Sequence, residues 1–180
     1  MLMAQTLFSG VETVAKSPIQ EKGGLSMSKS QERWWISGSH GFLGQQLVEQ
    51  LNQSGQEPIR GDREGNVTPL WVDYVVNAQS FGNYYWQRSD IIGTYRANVM
   101  ALARILQNGE VTKGIVHLSS TSVLLAVQTY YSAAKRAGEE MVALAARDKG
   151  VPALSVRPSS ITGIGEQKEH LIPKLIDSCL

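Results

Sequence analysis

Cysteine is almost absent from this chain of 180 residues; Cys179, beside the C-terminus, is the single one. One thiol excludes a disulfide framework and a cysteine metal centre, and it suits a reducing compartment such as the cytoplasm. Long apolar runs are also missing, and none reaches the roughly 18 residues that a membrane-spanning helix requires. Charge of one sign is lacking: 17 Lys and Arg stand against 16 Asp and Glu, a formal net charge of +1. That balance gives no electrostatic reason to expect nucleic acid or an anionic membrane as partner. It does not exclude a phosphate ligand, because a helix N-terminus binds one without net basicity. The stretch Met1 to Phe8 has no basic residues ahead of its short apolar patch, which makes it a poor signal peptide.

With 42% hydrophobic and 18% charged residues, the chain has the material for one compact α/β domain and too little length for two of full size. Residues 1–32, rich in Ser, Gln, Lys and Gly, are expected to form a mobile leader with some helix around Leu7 to Ala15. Met27, shortly before the ordered pattern begins, is a candidate start. From Arg33 onward short apolar runs alternate with helical patterns, as in βαβ units on a parallel sheet. The expected strands are Trp34–Ser37, Pro58–Arg60, Tyr74–Asn77, Gly114–Ser119 and Ala153–Val156. The expected helices are Phe42–Gln53, Ile91–Gln107 and Ser132–Lys149. In the last, Ala134, Ala137, Met141, Leu144 and Ala145 fall at helical spacing, and Gly150 stands where a C′ glycine belongs.

The first strand runs directly into Gly38-Ser39-His40-Gly41-Phe42-Leu43-Gly44 and then a helix. Gly38 allows a tight turn, Gly41 lets the backbone approach a pyrophosphate, and Gly44 permits close packing of helix on strand. The amides opening the helix, from Phe42 and Leu43 onward, supply donors and the positive dipole end. His40 reads as a turn residue, since no second His or Cys is near enough in sequence to complete a metal site. Eighteen residues after Gly44 comes Asp62, placed as the carboxylate that hydrogen-bonds an adenosine ribose in NAD sites. A plain turn residue is the other reading of Asp62, and the flanking Arg60 and Arg63 leave a 2′-phosphate, hence NADP, open.

Further on, Tyr131-Ser-Ala-Ala-Lys135 places a phenol and an ammonium four residues apart, on one helical face. A free phenol titrates near 10, and an adjacent cation favours its phenolate, so the pair can act in proton transfer. Upstream lies Val116-His117-Leu118-Ser119-Ser120-Thr121-Ser122-Val123, a strand that ends in hydroxyls. The order of glycine turn, serine strand and Tyr-x-x-x-Lys resembles the extended short-chain dehydrogenase/reductases, the NAD-dependent epimerase/dehydratase family. Asp73-Tyr-Val-Val-Asn77-Ala78 is similar to the family strand that runs beside the cofactor. Tyr95-Arg-Ala-Asn98-Val99 resembles its central helix, and Arg157-Pro158-Ser-Ser-Ile-Thr-Gly163-Ile-Gly165 its stretch after the last strand.

The resemblance implies an α/β fold of Rossmann type, a doubly wound parallel sheet over residues 33–165, with 166–180 opening a substrate domain that is mostly missing. It implies NAD, or NADP, held by Gly38, His40, Gly41, Phe42, Leu43, Gly44, Asp62, Arg63, Asn77, Ala78, Asn98, Tyr131, Lys135, Arg157 and Pro158. It places Ser120, Tyr131 and Lys135 as the catalytic set, with Ser119, Thr121 and Ser122 as competitors for the serine role. The implied substrate is a small molecule reacting at a carbinol or carbonyl carbon, a nucleotide sugar above all, and the implied assembly is a homodimer. His117, Trp34 and Trp35 read as strand residues of the core. Three departures from the family pattern stand out: a short stretch between Asp62 and Asn77, Leu124-Leu125 in place of the usual Tyr-Gly, and the end of the chain soon after Leu175. They admit two other readings, a stand-alone ketoreductase and a non-catalytic nucleotide-binding module.

Overall fold

The computed structural model describes residues 31–61, 70–82, 90–166, 168 and 170–179. The helix expected near Leu7 to Ala15 and the candidates Asp62 and Arg63 lie outside the described residues.

Five strands, β1 (Trp34–Ser37), β2 (Ile59–Arg60), β3 (Leu70–Asn77), β4 (Gly109–Leu118) and β5 (Ala153–Val156), form one parallel sheet in the order β2-β1-β3-β4-β5. The chain leaves β1 toward β2 on one side and then returns to place β3 on the other. The crevice at the carboxyl ends of β1 and β3 is therefore a topological switch point, where open α/β sheets bind ligands. The glycine turn follows β1 directly at that point.

Strand alternation divides the apolar residues between two faces. Trp35, Val72, Val75 and Ile115 meet Leu102, Ile105 and Leu106 of α3 (Ala101–Asn108) and Val142 of α4 (Tyr130–Lys149). Their neighbours Ile36 and Val76 turn the other way, with Trp34 and Val116, onto Leu47, Val48 and Leu51 of α1 (Phe42–Gln53). Helices thus cover both faces, the doubly wound arrangement. Trp34 stacks on Tyr74 at 4.2 Å between ring centroids, so both early tryptophans serve the sheet.

The expected helix Ile91–Gln107 occupies that span with an interruption. It runs as α2 (Ile91–Tyr95), a π turn (Arg96–Met100) and then α3. Buried Asn98 supplies the cause: its side-chain amide donates to the Thr94 carbonyl at 2.9 Å, the acceptor that an unbroken α-helix would give to its own backbone. Downstream lie a 3-10 turn (Thr121–Leu124), α4 and α5 (Leu171–Cys179). Gly150 closes α4 with φ +67°, the left-handed C-cap that its position led us to expect.

Candidate functional site

The glycine turn is built almost wholly from backbone. Gly38 has φ +68°, and a Cβ there would lie 2.7 Å from the backbone of Gln79. A Cβ on Gly44 would lie 2.0 Å from the Gly38 carbonyl, so the start of α1 rests directly on the turn. Gly41 differs. It has ordinary φ, its amide donates to Gly38 O at 2.9 Å, and a Cβ would meet only that carbonyl, at 3.2 Å. Gly41 is the N-cap of α1 with no side-chain cap, and no acidic residue stands in the first turn. The amides opening α1 are therefore left to an external acceptor. His40 is exposed, with Nδ1 3.3 Å from the Ser39 hydroxyl, and Phe42 and Leu43 are half-buried.

Beneath the turn a polar ladder crosses three strand ends at one register. Ser37 pairs with Asn77 and Asn77 with His117. The Ser37 hydroxyl donates to Asn77 Oδ1 at 2.5 Å, the Gln79 amide donates to the same oxygen at 3.3 Å, and Asn77 Nδ2 reaches His117 Nδ1 at 3.0 Å. Since Nδ2 can only donate, His117 Nδ1 accepts and the ring is neutral. Burial pushes the imidazole down to about 4, with the Lys135 charge acting the same way. Asn77 ends β3, and Ala78 N just beyond it donates to Ser37 O at 3.1 Å.

At the end of β4 the Ser120 hydroxyl caps the 3-10 turn, accepting from Ser122 N at 3.1 Å. Ser119 and Ser122 are buried, whereas Ser120 and Thr121 are half-buried. Ser120 and Thr121 share that access: Ser120 accepts from Ser122 N, while Thr121 donates its hydroxyl proton to Pro158 O at 3.4 Å. The next helix opens with a capping box in which Thr129 Oγ1 accepts from Ser132 N and Ser132 Oγ accepts from Thr129 N. Tyr131 stands on that first turn. One turn on, Lys135 is 2% exposed; its ammonium donates to Leu118 O at 2.9 Å and Gln79 O at 3.4 Å and lies 5.9 Å from the Tyr131 ring centroid. Burial lowers Lys135 to about 8.

Gln79 links the two halves of the site, with its backbone against Gly38 and its carbonyl on the Lys135 ammonium. Nothing in the sequence pattern singled it out. His117, taken as a core residue, belongs to the ladder, and pairing register alone could reveal that. Asn98 sits on the π turn and also donates to Phe81 O at 2.8 Å, fixing the segment after β3. Arg157 forks onto Glu139 of α4, and Pro158 O accepts from Thr121 N at 3.1 Å. The Tyr131–Lys135–Glu139 spacing was a signal for Glu139 that the motif alone did not exploit. Among the described residues no group of three His, Cys, Asp or Glu could hold a metal, and no helix is long and apolar enough to cross a membrane.

The sequence profile of the NAD dependent epimerase/dehydratase family matches residues 34–180. No curated protein sequence matches the chain significantly. Solved structures similar to it include MoeE5 in complex with UDP-glucuronic acid and NAD, at TM-score 0.70 and 20% identity, covering 81% of this chain and 60% of that one. UDP-glucuronic acid 4-epimerase from Bacillus cereus, in complex with NAD, aligns at TM-score 0.67 and 16% identity over 82% and 63% of the two chains. RMD from Pseudomonas aeruginosa, complexed with NADPH, gives 0.67 and 18% over 79% and 59%. These identities show a shared fold, and the chain spans about 60% of the length of the structures it matches.

Proposed function

This chain belongs to the NAD dependent epimerase/dehydratase family, and from that premise we propose an NAD(P)-dependent oxidoreductase or epimerase acting at a carbinol or carbonyl carbon of a nucleotide sugar. The observation that supports the reading is a series running from Gly38, where a Cβ would meet the Gln79 backbone, through the Gln79 carbonyl on the Lys135 ammonium, to the Tyr131 ring centroid 5.9 Å from that ammonium. Two features of the glycine turn suit a diphosphate. The space that a Cβ would take up at Gly41 is open apart from one carbonyl, and the α1 amides carry no side-chain cap.

Gly38, His40, Gly41, Phe42, Leu43 and Gly44 would hold the diphosphate, and Asn77, Ala78 and Lys135 the nicotinamide half. The chemistry supplied by a bound nicotinamide is hydride exchange with the carbinol carbon. The protein's part is the proton. Tyr131 exchanges it at the phenol oxygen with the substrate hydroxyl. Lys135 stabilises the negative charge that develops there, from within a buried cradle of two carbonyls. Ser120 donates to the same substrate oxygen. Asp62 and Arg63 would meet the adenosine ribose, and two copies would pair in the cytoplasm through the helices carrying Asn98 and Tyr131. The MoeE5 structures hold UDP-glucose or UDP-glucuronic acid, which supports a nucleotide sugar as substrate class.

Fluorescence titration of NADH and NADPH, followed by turnover of UDP-glucose with Tyr131→Phe as control, tests the proposal. At least one cofactor binds wild type and variant alike, and the variant loses turnover about 100-fold or more. Failure of both cofactors to bind ends this reading. Binding without any turnover that Tyr131→Phe alters leaves a nucleotide-binding module. Leu124, Leu125 and Val127, exposed just past the serine segment, favour a second enzymatic reading, reduction of a less polar carbonyl. A reductase releases its cofactor each cycle, so nicotinamide retained through purification counts against that alternative.

A further inference from the structure

Glu139 lies one turn beyond Lys135 and two beyond Tyr131, on the same face of α4. Its carboxylate is 12% exposed and receives both arms of Arg157, Nε to Oε1 at 2.8 Å and Nη2 to Oε2 at 2.6 Å. Such a two-point contact fixes geometry as well as charge. The Arg157 hydrogen bonds are the largest cause holding this carboxyl below its ordinary value. The Lys135 ammonium, four residues earlier, donates to the carbonyls of Leu118 and Gln79.

Arg157 also leads into the loop that holds the serine segment. The carbonyl of Pro158 accepts from Thr121 N at 3.1 Å and from Thr121 Oγ1 at 3.4 Å, while Ser119 N donates to Val156 O at 2.7 Å. Ser120 thus sits between two residues tied to the strand and loop that carry Arg157. A path of direct contacts runs from α4 through Glu139, Arg157, Pro158 and Thr121 to Ser120. It joins the element carrying the phenol to the element carrying the hydroxyl.

We infer that Glu139 and Arg157 are positioning residues, a clamp that sets the Ser120–Thr121 turn against the Tyr131 face of α4. This inference rests on the proposed function in one respect, that Ser120 donates to the substrate oxygen. The clamp as a structural coupling stands apart from any substrate.

The test uses Glu139→Gln, which keeps shape and removes charge, and Arg157→Lys, which keeps charge and removes the fork. Amide hydrogen exchange of the full chain should show the Thr121 amide opening about tenfold faster or more in both variants, with the amides of β1 and β3 as protected as in wild type. In Glu139→Gln, NADH affinity should be unchanged, and with UDP-glucose and NAD as probes kcat should fall while the KM for NAD stays constant. Wild-type protection at Thr121 in both variants would overturn the clamp, as would a loss of protection spread equally over the whole sheet. A KM that rises with kcat unchanged would also overturn it. Absence of wild-type turnover with UDP-glucose would count against the proposed substrate, and the exchange measurement would still decide the coupling.

Discussion

The two helix openings that face the crevice are built in opposite ways. At the start of α1 there is no side-chain cap, and Gly41 and Gly44 put backbone against backbone. At the start of α4 a reciprocal Thr129–Ser132 box satisfies two of the backbone amides, those of Thr129 and Ser132, around the turn that carries Tyr131. An uncapped, side-chain-free end leaves its amides for a ligand; a capped end spends them on holding its own side chains still. Under the proposed function, the difference separates a binding half made of main chain from a chemical half made of side chains.

The sharpest way to break that contrast is within the glycine turn. Gly44→Ala would force a Cβ to within 2.0 Å of a backbone oxygen that has nowhere to go. We expect a loss of about 3 kcal/mol, seen as a melting point lower by roughly 10 °C for a domain of this size. Gly41→Ala meets that same carbonyl at 3.2 Å with ordinary φ, so its thermal melt should stay within about 1 kcal/mol of wild type. Its Cβ would stand where a diphosphate approaches, and NADH affinity should drop about tenfold or more. Equal NADH binding by Gly41→Ala and wild type would move the diphosphate elsewhere.

In the chemical half the cost is electrostatic. Lys135 falls from 10.5 to about 8 because burial penalises its charge. Below pH 8 both folded and unfolded chains carry the proton, and the folded state bears the full penalty, on the order of 3 kcal/mol. Between about 8 and 10.5 the unfolded chain binds more protons, so this contribution makes stability rise with pH. Denaturant melts at pH 7.5 and 9.5 should show that rise in wild type and lose it in Lys135→Met, which should also lose turnover. A rise of equal size in the variant would assign it to another group.

Asn77→Ala should cost about 2 kcal/mol, because it strips partners from the Ser37 hydroxyl, His117 and the Gln79 amide at once. That ladder also marks where sequence reading ends. Trp34–Ser37, Phe42–Gln53 and Ala153–Val156 were legible to the residue, because alternation, helical spacing and glycine punctuation agree there. Strand β3 begins at Leu70, four residues before the expected start, since a register shift between Val72 and Tyr74 breaks the alternation. Strand β4 begins at Gly109, in a stretch of small, polar and charged residues that hides it. The glycines and the Tyr-x-x-x-Lys spacing are local, so they could be read directly. The Asn77–His117 pair, the Lys135 cradle and the Glu139–Arg157 fork join residues 40, 56 and 18 positions apart, and only the strand register brings them together.

The smallest effect tests the other end of the comparison. Thr129→Ala removes the oxygen that accepts from Ser132 N at 3.3 Å and leaves the 2.8 Å bond from Thr129 N to Ser132 Oγ in place. Half a capping box lost should cost about 1 kcal/mol, a melting shift of roughly 3 °C. Its consequence for chemistry is more telling than its size. Tyr131 is the second residue of α4, so fraying of that turn loosens the phenol, while Lys135 stays anchored by Leu118 and Gln79. NADH affinity should therefore hold and turnover should fall severalfold. Parallel loss of both would mean that the two helix openings act as one unit and that the division into backbone and side-chain halves is wrong.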